Sequence, residues 1–260
     1  MKVDLSFESK CVAYLVALPH EDDGQASAPA TGFFWRYEDR LYLVTNRHVV
    51  TGRDGKNIPL PSGFDPHYIN AYFYKKSGII NPGYTEVVHT GIKLELYKDC
   101  QKDWLEHKSG LNYDIAILEI SPPLDVFAVN DKEQREDIWI EAGADCFIVG
   151  FPERLTGPEA TPIWKRASIA SEPSLNYNSE PVFLCDTASR PGMSGSPVFA
   201  KAYGDFGREG TERRTKFFGF WTKFIGIYSG RNGANQDGFQ LGRVWRPEII
   251  EQIIQEPKVW

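Results

Sequence analysis

Short apolar or alternating runs, rich in Val, Ile, Phe, Tyr and Trp, recur along this chain between clusters of Gly, Pro, Asn and Asp. They fall at 11–18, 32–37, 41–45, 69–75, 86–97, 114–120, 145–150, 164–170, 181–185, 197–200, 217–228 and 239–245. Runs of this length, bounded by turn residues, predict strands, and a dozen in succession predict an all-β sandwich or barrel architecture. In "GFFWRYEDRLYLVTNRHVV" two β-rich runs flank Glu38-Asp39-Arg40, as in a hairpin. Helical spacing is convincing only at the C-terminus, where Pro247 opens "PEIIEQIIQE" and Ile249, Ile250, Ile253 and Ile254 form one stripe, read as core contact.

Two prolines and a charge run in "SPPLDVFAVNDKEQREDIW", residues 121–139, mark the domain break. The expected organisation is a β unit over 1–125, a second over 126–246, and a helix over 247–260. No internal repeat or low-complexity tract is visible by eye.

At 260 residues the chain can bury roughly 70 to 75% of its unfolded surface, so a core needs no metal or disulfide staples. The net charge of −6, with both signs mixed along the chain, excludes the basic footprint of a nucleic-acid binder. The cluster Arg208, Arg213, Arg214 and Lys216 is interleaved with Glu209 and Glu212 and reads as a solvated loop. The apolar run Cys11–Leu18 lies behind Asp4 and Glu8 and ends in "PHEDD", unlike a signal peptide. No run approaches the roughly 18 to 20 apolar residues of a membrane span, so a cytoplasmic location is expected. Cys11, Cys100, Cys146 and Cys185 are far apart without C-x-x-C spacing, which disfavours a zinc site and leaves all four reduced.

Candidate chemistry centres on "SRPGMSGSPVF", where Gly192 and Gly195 bracket Met193-Ser194 ahead of an apolar strand. A serine hydroxyl becomes a nucleophile only when a base takes its proton and a third group fixes that base's tautomer. All five histidines precede Ser194, and the residue two after it is Ser196 rather than Gly, so the histidine-last, G-x-S-x-G hydrolase pattern is disfavoured. His48 follows the strand-like Leu41–Thr45 and precedes Val49-Val50; the other four lie in loop-like or alternating contexts. Asp114 stands before the apolar Ile115–Leu118, where a carboxylate needs a hydrogen-bond partner to offset desolvation. An imidazole Nδ1–H would serve; capping the preceding turn with Asn112 is the plainer alternative.

Together "LVTNRHVV", "YDIAIL" and "GMSGSPVF", in that order across an all-β sequence, resemble the trypsin-like (chymotrypsin-fold) serine peptidases, particularly disulfide-free bacterial forms such as the glutamyl endopeptidase and HtrA-like branches. The resemblance runs from about Thr31 to Val244. It implies two six-stranded antiparallel β-barrels with the site between them, His48 as general base, Asp114 as its orienting acid and Ser194 as nucleophile. It also implies an oxyanion hole from the backbone N–H groups of Gly192 and Ser194, and no cofactor. "FIGIYSGR" resembles the strand that lines the primary specificity pocket, which implies that Ser229, Gly230 and Arg231 face the substrate.

Departures from the family pattern narrow these implications. Met193 replaces the aspartate used in zymogen activation, and Ala188 stands where trypsin-type enzymes carry the acid for basic P1 residues. Arg190 and Arg231 would suit an acidic P1 side chain, or are surface residues. The segment 201–216 and the 65 residues between His48 and Asp114 are expected to form loop insertions near the cleft. The implied partner is a protein or peptide substrate, with a narrow range or an activating protein to restrain a cytoplasmic protease. The alternatives are a protease-fold scaffold with a misaligned triad and a β-rich esterase using the same residues.

Overall fold

A computed structural model describes residues 5–20, 27–60, 65–81, 84–132, 140–188, 190–206, 217–231 and 240–258. The first unit contains β1 (Val12–Leu18), β2 (Ala28–Tyr37), β3 (Arg40–Thr45), β4 (Tyr68–Asn81), β5 (Tyr84–Glu95), the short β6 (Tyr97–Lys98) and β7 (Gln101–Lys102), and β8 (Ala116–Ile120). The second contains β9 (Asp145–Gly150), β10 (Ile163–Ile169), β11 (Val182–Asp186), β12 (Pro197–Phe206), β13 (Phe217–Arg231) and β14 (Leu241–Trp245). Among the described residues there are three α-helices: α1 (Phe7–Lys10), α2 (Arg47–Thr51) and α3 (Glu248–Gln255).

Strands β9 to β14 close a barrel in the order β10-β11-β14-β13-β12-β9. The first unit's main sheet runs β5-β4-β1-β2-β3-β8. Leaving aside the small β6-β7 hairpin, both units follow one cyclic order of first-second-third-sixth-fifth-fourth strand. They share a topology although no repeat is visible in the sequence. The first unit stays open between β5 and β8, where Leu105 pairs with Ile117 instead, so it is a curled half-barrel where a closed one was expected.

The apolar runs become strands close to where the pattern puts them. Tyr37 pairs with Arg40 across the β2-β3 turn, and Glu38 takes the left-handed φ of 51° that lets so short a turn close. The predicted runs at 69–75 and 86–97 form one long ladder between His48 and Asp114, and 201–206, expected as part of a loop insertion, extends another. β4 pairs with β5 from Tyr68↔Glu95 to Asn81↔Tyr84, and β12 pairs with β13 as far as Phe206↔Phe217. The cluster at Arg208, Arg213, Arg214 and Lys216 lies outside the described residues.

Burial follows the two sheets. Leu15, Leu41, Leu43, Ile69 and Phe73 fill the first unit, and Ile148, Phe183, Val198, Tyr228 and Val244 the second. A third cluster joins the units: Phe33, Trp35 and Val44 from one meet Phe199, Phe224 and Trp245 from the other, and Ile249, Ile250 and Ile253 of α3 pack onto it. The isoleucine stripe is therefore core contact. Continuous apolar packing across the seam holds the two units in a fixed relation, which any site assembled from both requires.

Candidate active site

The sequence brings three polar residues to this seam, each at the end of a buried strand. β3 ends at Thr45, and Asn46 starts α2, which carries His48 and stops where Gly52 adopts φ 62° and returns its N–H to the His48 carbonyl. Asn46 Nδ2 donates to the Asp114 carbonyl at 2.8 Å, tying the two segments together. Beside His48, the Arg47 guanidinium is buried against Glu106, 3.3 Å away, and Glu106 also accepts from Trp104 Nε1.

Asp114 leads into β8 and holds His48 twice. Its Oδ1 accepts the His48 backbone N–H at 2.9 Å, and its Oδ2 lies 2.8 Å from His48 Nδ1. A carboxylate only accepts, so Nδ1 carries the proton and Nε2 is left basic. Ser229 Oγ donates to the same Oδ2 at 2.8 Å. Burial disfavours the charged form of each partner, but their mutual attraction wins in both. Asp114 sits below the usual carboxylate range, held by the His48 charge and by hydrogen bonds from His48 and Ser229. His48 sits above its ordinary value, because the charge and hydrogen bond of Asp114 outweigh its desolvation. The other four histidines pack against aromatic rings: His20 on His67, His67 on Tyr97, His89 on Tyr74 and His107 on Tyr113.

The half-buried Ser194 lies on the turn before β12, and successive peptide planes of that turn are held from behind. The Glu153 N–H donates to Pro191 O at 2.7 Å, Thr31 Oγ1 to Gly192 O at 2.7 Å, and the Ser196 N–H to Met193 O at 3.1 Å. In a trans peptide the N–H points opposite its carbonyl. The N–H groups of Gly192 and Ser194 therefore face away from these anchors, and neither is bonded to another described residue. Backbone donors beside Ser194 without a partner among the described residues are the kind of group that can receive a developing oxyanion. Glycine is required at both ends of the turn. Gly192 has φ 94° and a Cβ there would lie 2.3 Å from Phe151 O; Gly195 has φ 83° and its Cβ would lie 2.1 Å from Thr31 O.

Thr31, on β2 of the first unit, is the residue that reaches furthest into this turn. Besides holding Gly192, it donates its N–H to Ser194 O at 2.8 Å, and its Oγ1 accepts the Phe151 N–H at 3.2 Å. The motif reading singled out neither Thr31 nor the bond from Ser229 to Asp114. Both link residues more than a hundred positions apart, and no spacing signals them.

Ser229 thus turns its side chain to the acid, which leaves its backbone as the part that could face a substrate. The β13-β14 ladder slips between Tyr228 and Arg231, which leaves the Ser229-Gly230 backbone out of register with β14; Gly230 has φ 85°. Ala188 is exposed after β11. Arg190 is exposed and pairs with Glu153 at 3.6 Å. The side chain of Arg231 lies outside the described residues. Cys11, Cys146 and Cys185 are buried free thiols, Cys146 pushed by burial to about 12, and Cys100 is exposed and free. Among the described residues no helix is long and apolar enough to cross a membrane, and no cluster of His, Cys, Asp and Glu could hold a metal ion.

Residues 30–206 match the family model of the trypsin-like peptidase domain. No curated relative matches the chain. Among solved structures, the protease Anisep from Arthrobacter nicotinovorans is similar at 12% identity, over 95% of this chain and 95% of that one, with a TM-score of 0.48.

Proposed function

Since the match spans more than half of its residues, the chain belongs to the trypsin-like peptidase family, and we propose that it is a serine endopeptidase with Ser194, His48 and Asp114 as its triad. The observation that carries this reading is the double grip of Asp114 on His48, which fixes the ring by its backbone and by Nδ1 together. The Nδ1 bond leaves Nε2 basic, and the second bond ties the His48 backbone to the same carboxylate.

In the acylation step His48 Nε2 takes the Ser194 proton as Oγ bonds to the scissile carbonyl carbon. The carbonyl π pair moves to oxygen, where the N–H groups of Gly192 and Ser194 receive the negative charge. When the tetrahedral centre collapses, the C–N bond breaks and imidazolium His48 protonates the leaving amine. Water then repeats the sequence: His48 removes its proton, the acyl carbon is attacked, and Ser194 Oγ leaves with the proton returned. Throughout, Asp114 stabilises the imidazolium without taking its proton. The substrate is a protein or peptide lying along the Ser229-Gly230 edge of β13 in extended form.

Intact-mass labelling with a fluorophosphonate tests this reading on the wild type, Ser194→Ala and His48→Ala. One adduct on the wild type, absent from both variants, is expected. No adduct on folded wild-type protein would overturn the triad and favour a scaffold built on a peptidase fold.

A further inference from the structure

We propose that Tyr228 fills the pocket for the side chain preceding the scissile bond, so that the enzyme cleaves after small residues such as Gly, Ala and Ser. The inference rests on the serine peptidase reading and specifies its substrate class.

The position of that side chain follows from the chemistry. Attack by Ser194 places the scissile carbonyl over Oγ with its oxygen toward the Gly192 and Ser194 N–H groups. The side chain one bond away must then enter between the two walls that meet at Ser194. One wall is the turn 190–194. The other is the end of β13, because Gly195 donates its N–H to Tyr228 O at 3.0 Å and Tyr228 donates its own to Ser196 O at 2.9 Å.

Successive side chains on a strand point to opposite faces. Ser229 points to Asp114, so Tyr228 points the other way, into the second unit behind the nucleophile. Its ring is fully buried and packs in one cluster with Met193, Cys185, Val198 and Val244. It also runs across Gly242 on β14: a Cβ at Gly242 would lie 2.4 Å from Tyr228 Cε2, 2.8 Å from its hydroxyl oxygen and 3.0 Å from Cζ. The ring therefore lies across β14 and packs in the same cluster as Met193 of the turn, and it occupies the depth that a long substrate side chain would need. Arg190, which would suit an acidic residue, is turned outward to Glu153. A methyl or hydroxymethyl group needs no such depth; a Leu, Phe, Glu or Lys side chain would have to displace a ring packed into the core.

The test is cleavage of a peptide series varied only at P1, together with labelling by peptidyl phosphonates bearing Ala, Leu, Phe, Glu or Lys at that position. For the wild type, kcat/KM and labelling rate are expected to be at least tenfold higher for Ala than for any of the four larger residues. Tyr228→Val is expected to move the Leu-to-Ala ratio at least tenfold toward Leu. Wild-type preference for a large or charged P1 residue, or indifference to its size, would overturn the proposal; the phosphonate series reads this without relying on a core variant to fold. If a simple fluorophosphonate labels Ser194 while P1 size has no effect, only the pocket assignment fails. If no reagent labels folded protein, the nucleophile itself is wrong and the proposal falls with it.

Discussion

Replacing Thr31 by Val preserves the size and β-branched shape of a fully buried strand residue and deletes one hydroxyl. That hydroxyl donates to Gly192 O at 2.7 Å and accepts the Phe151 N–H at 3.2 Å. Its loss strands a buried acceptor and a buried donor, each costing about 1 to 3 kcal/mol. With partial relaxation we expect a destabilisation of roughly 2 to 4 kcal/mol, which lowers Tm by roughly 5 to 15 °C in a chain of this size. The catalytic effect has a separate origin. The Gly192-Met193 peptide lies between the two proposed oxyanion donors, and its carbonyl is the group Thr31 anchors. Deleting a whole oxyanion donor typically costs about 10²- to 10³-fold in kcat, so loosening the plane between two of them should cost roughly 10- to 50-fold. Because the anchored donors act on charge that develops only in the transition state, KM should change by less than about threefold. The assay is steady-state cleavage of a P1-Ala peptide well below the variant's Tm, beside the affinity for a peptide boronate. Boronate affinity should fall in parallel with kcat, and Thr31→Ser should restore both. A lower Tm with unchanged kcat, or a raised KM alone, would refute this reasoning and leave the hydroxyl a structural bond only.

Four further outcomes follow from the same geometry. kcat/KM should rise with pH through a single ionisation above the ordinary histidine value of about 6.5, because His48 must be neutral to act as base and Asp114 holds its pKa up; a pH-rate profile with its midpoint below that value would contradict it. The pair's contribution to stability has two edges: the part from His48, whose folded pKa is raised, is lost as pH rises through that folded pKa, and the part from Asp114, whose folded pKa is lowered, is lost as pH falls through its own. Thermal melts across pH, with His48→Ala as reference, should show both. Gly192→Ala should cost more than about 2 kcal/mol and abolish labelling, since a left-handed φ and a Cβ 2.3 Å from Phe151 O must both be relieved; full activity with an unchanged Tm would show that the turn is not held as described. Arg47→Ala should destabilise by about 1 to 3 kcal/mol, because the buried Glu106 loses its closest cation and keeps the Trp104 N–H and the Lys102 ammonium 3.9 Å away; chemical denaturation reads this, and an unchanged midpoint would contradict it.

Strand placement was legible because it depends on local alternation. β9 at Asp145–Gly150 coincides with its apolar run, and α3 begins just after Pro247 with its isoleucines inward. His48, Asp114 and Ser194 could be named because each is embedded in a short motif at a strand end. By contrast, the runs 69–75 and 86–97 were legible as strands but not as partners of each other, and 201–206 read as part of an insertion; pairing in β4-β5 and β12-β13 links segments whose register no local pattern announces.

What the sequence determined by itself was an all-β chain, its strands, its C-terminal helix and the identity of three polar residues, all properties of contiguous residues. Tertiary structure alone decided that the two units share one strand order, that Ser229 bonds Asp114, that Thr31 anchors the turn of Ser194 from the other unit, and that the Tyr228 ring crosses Gly242. Each is a contact or arrangement between distant segments, made when apolar faces pack across the seam or within a barrel, and the periodicity of a single segment carries no information about its partner.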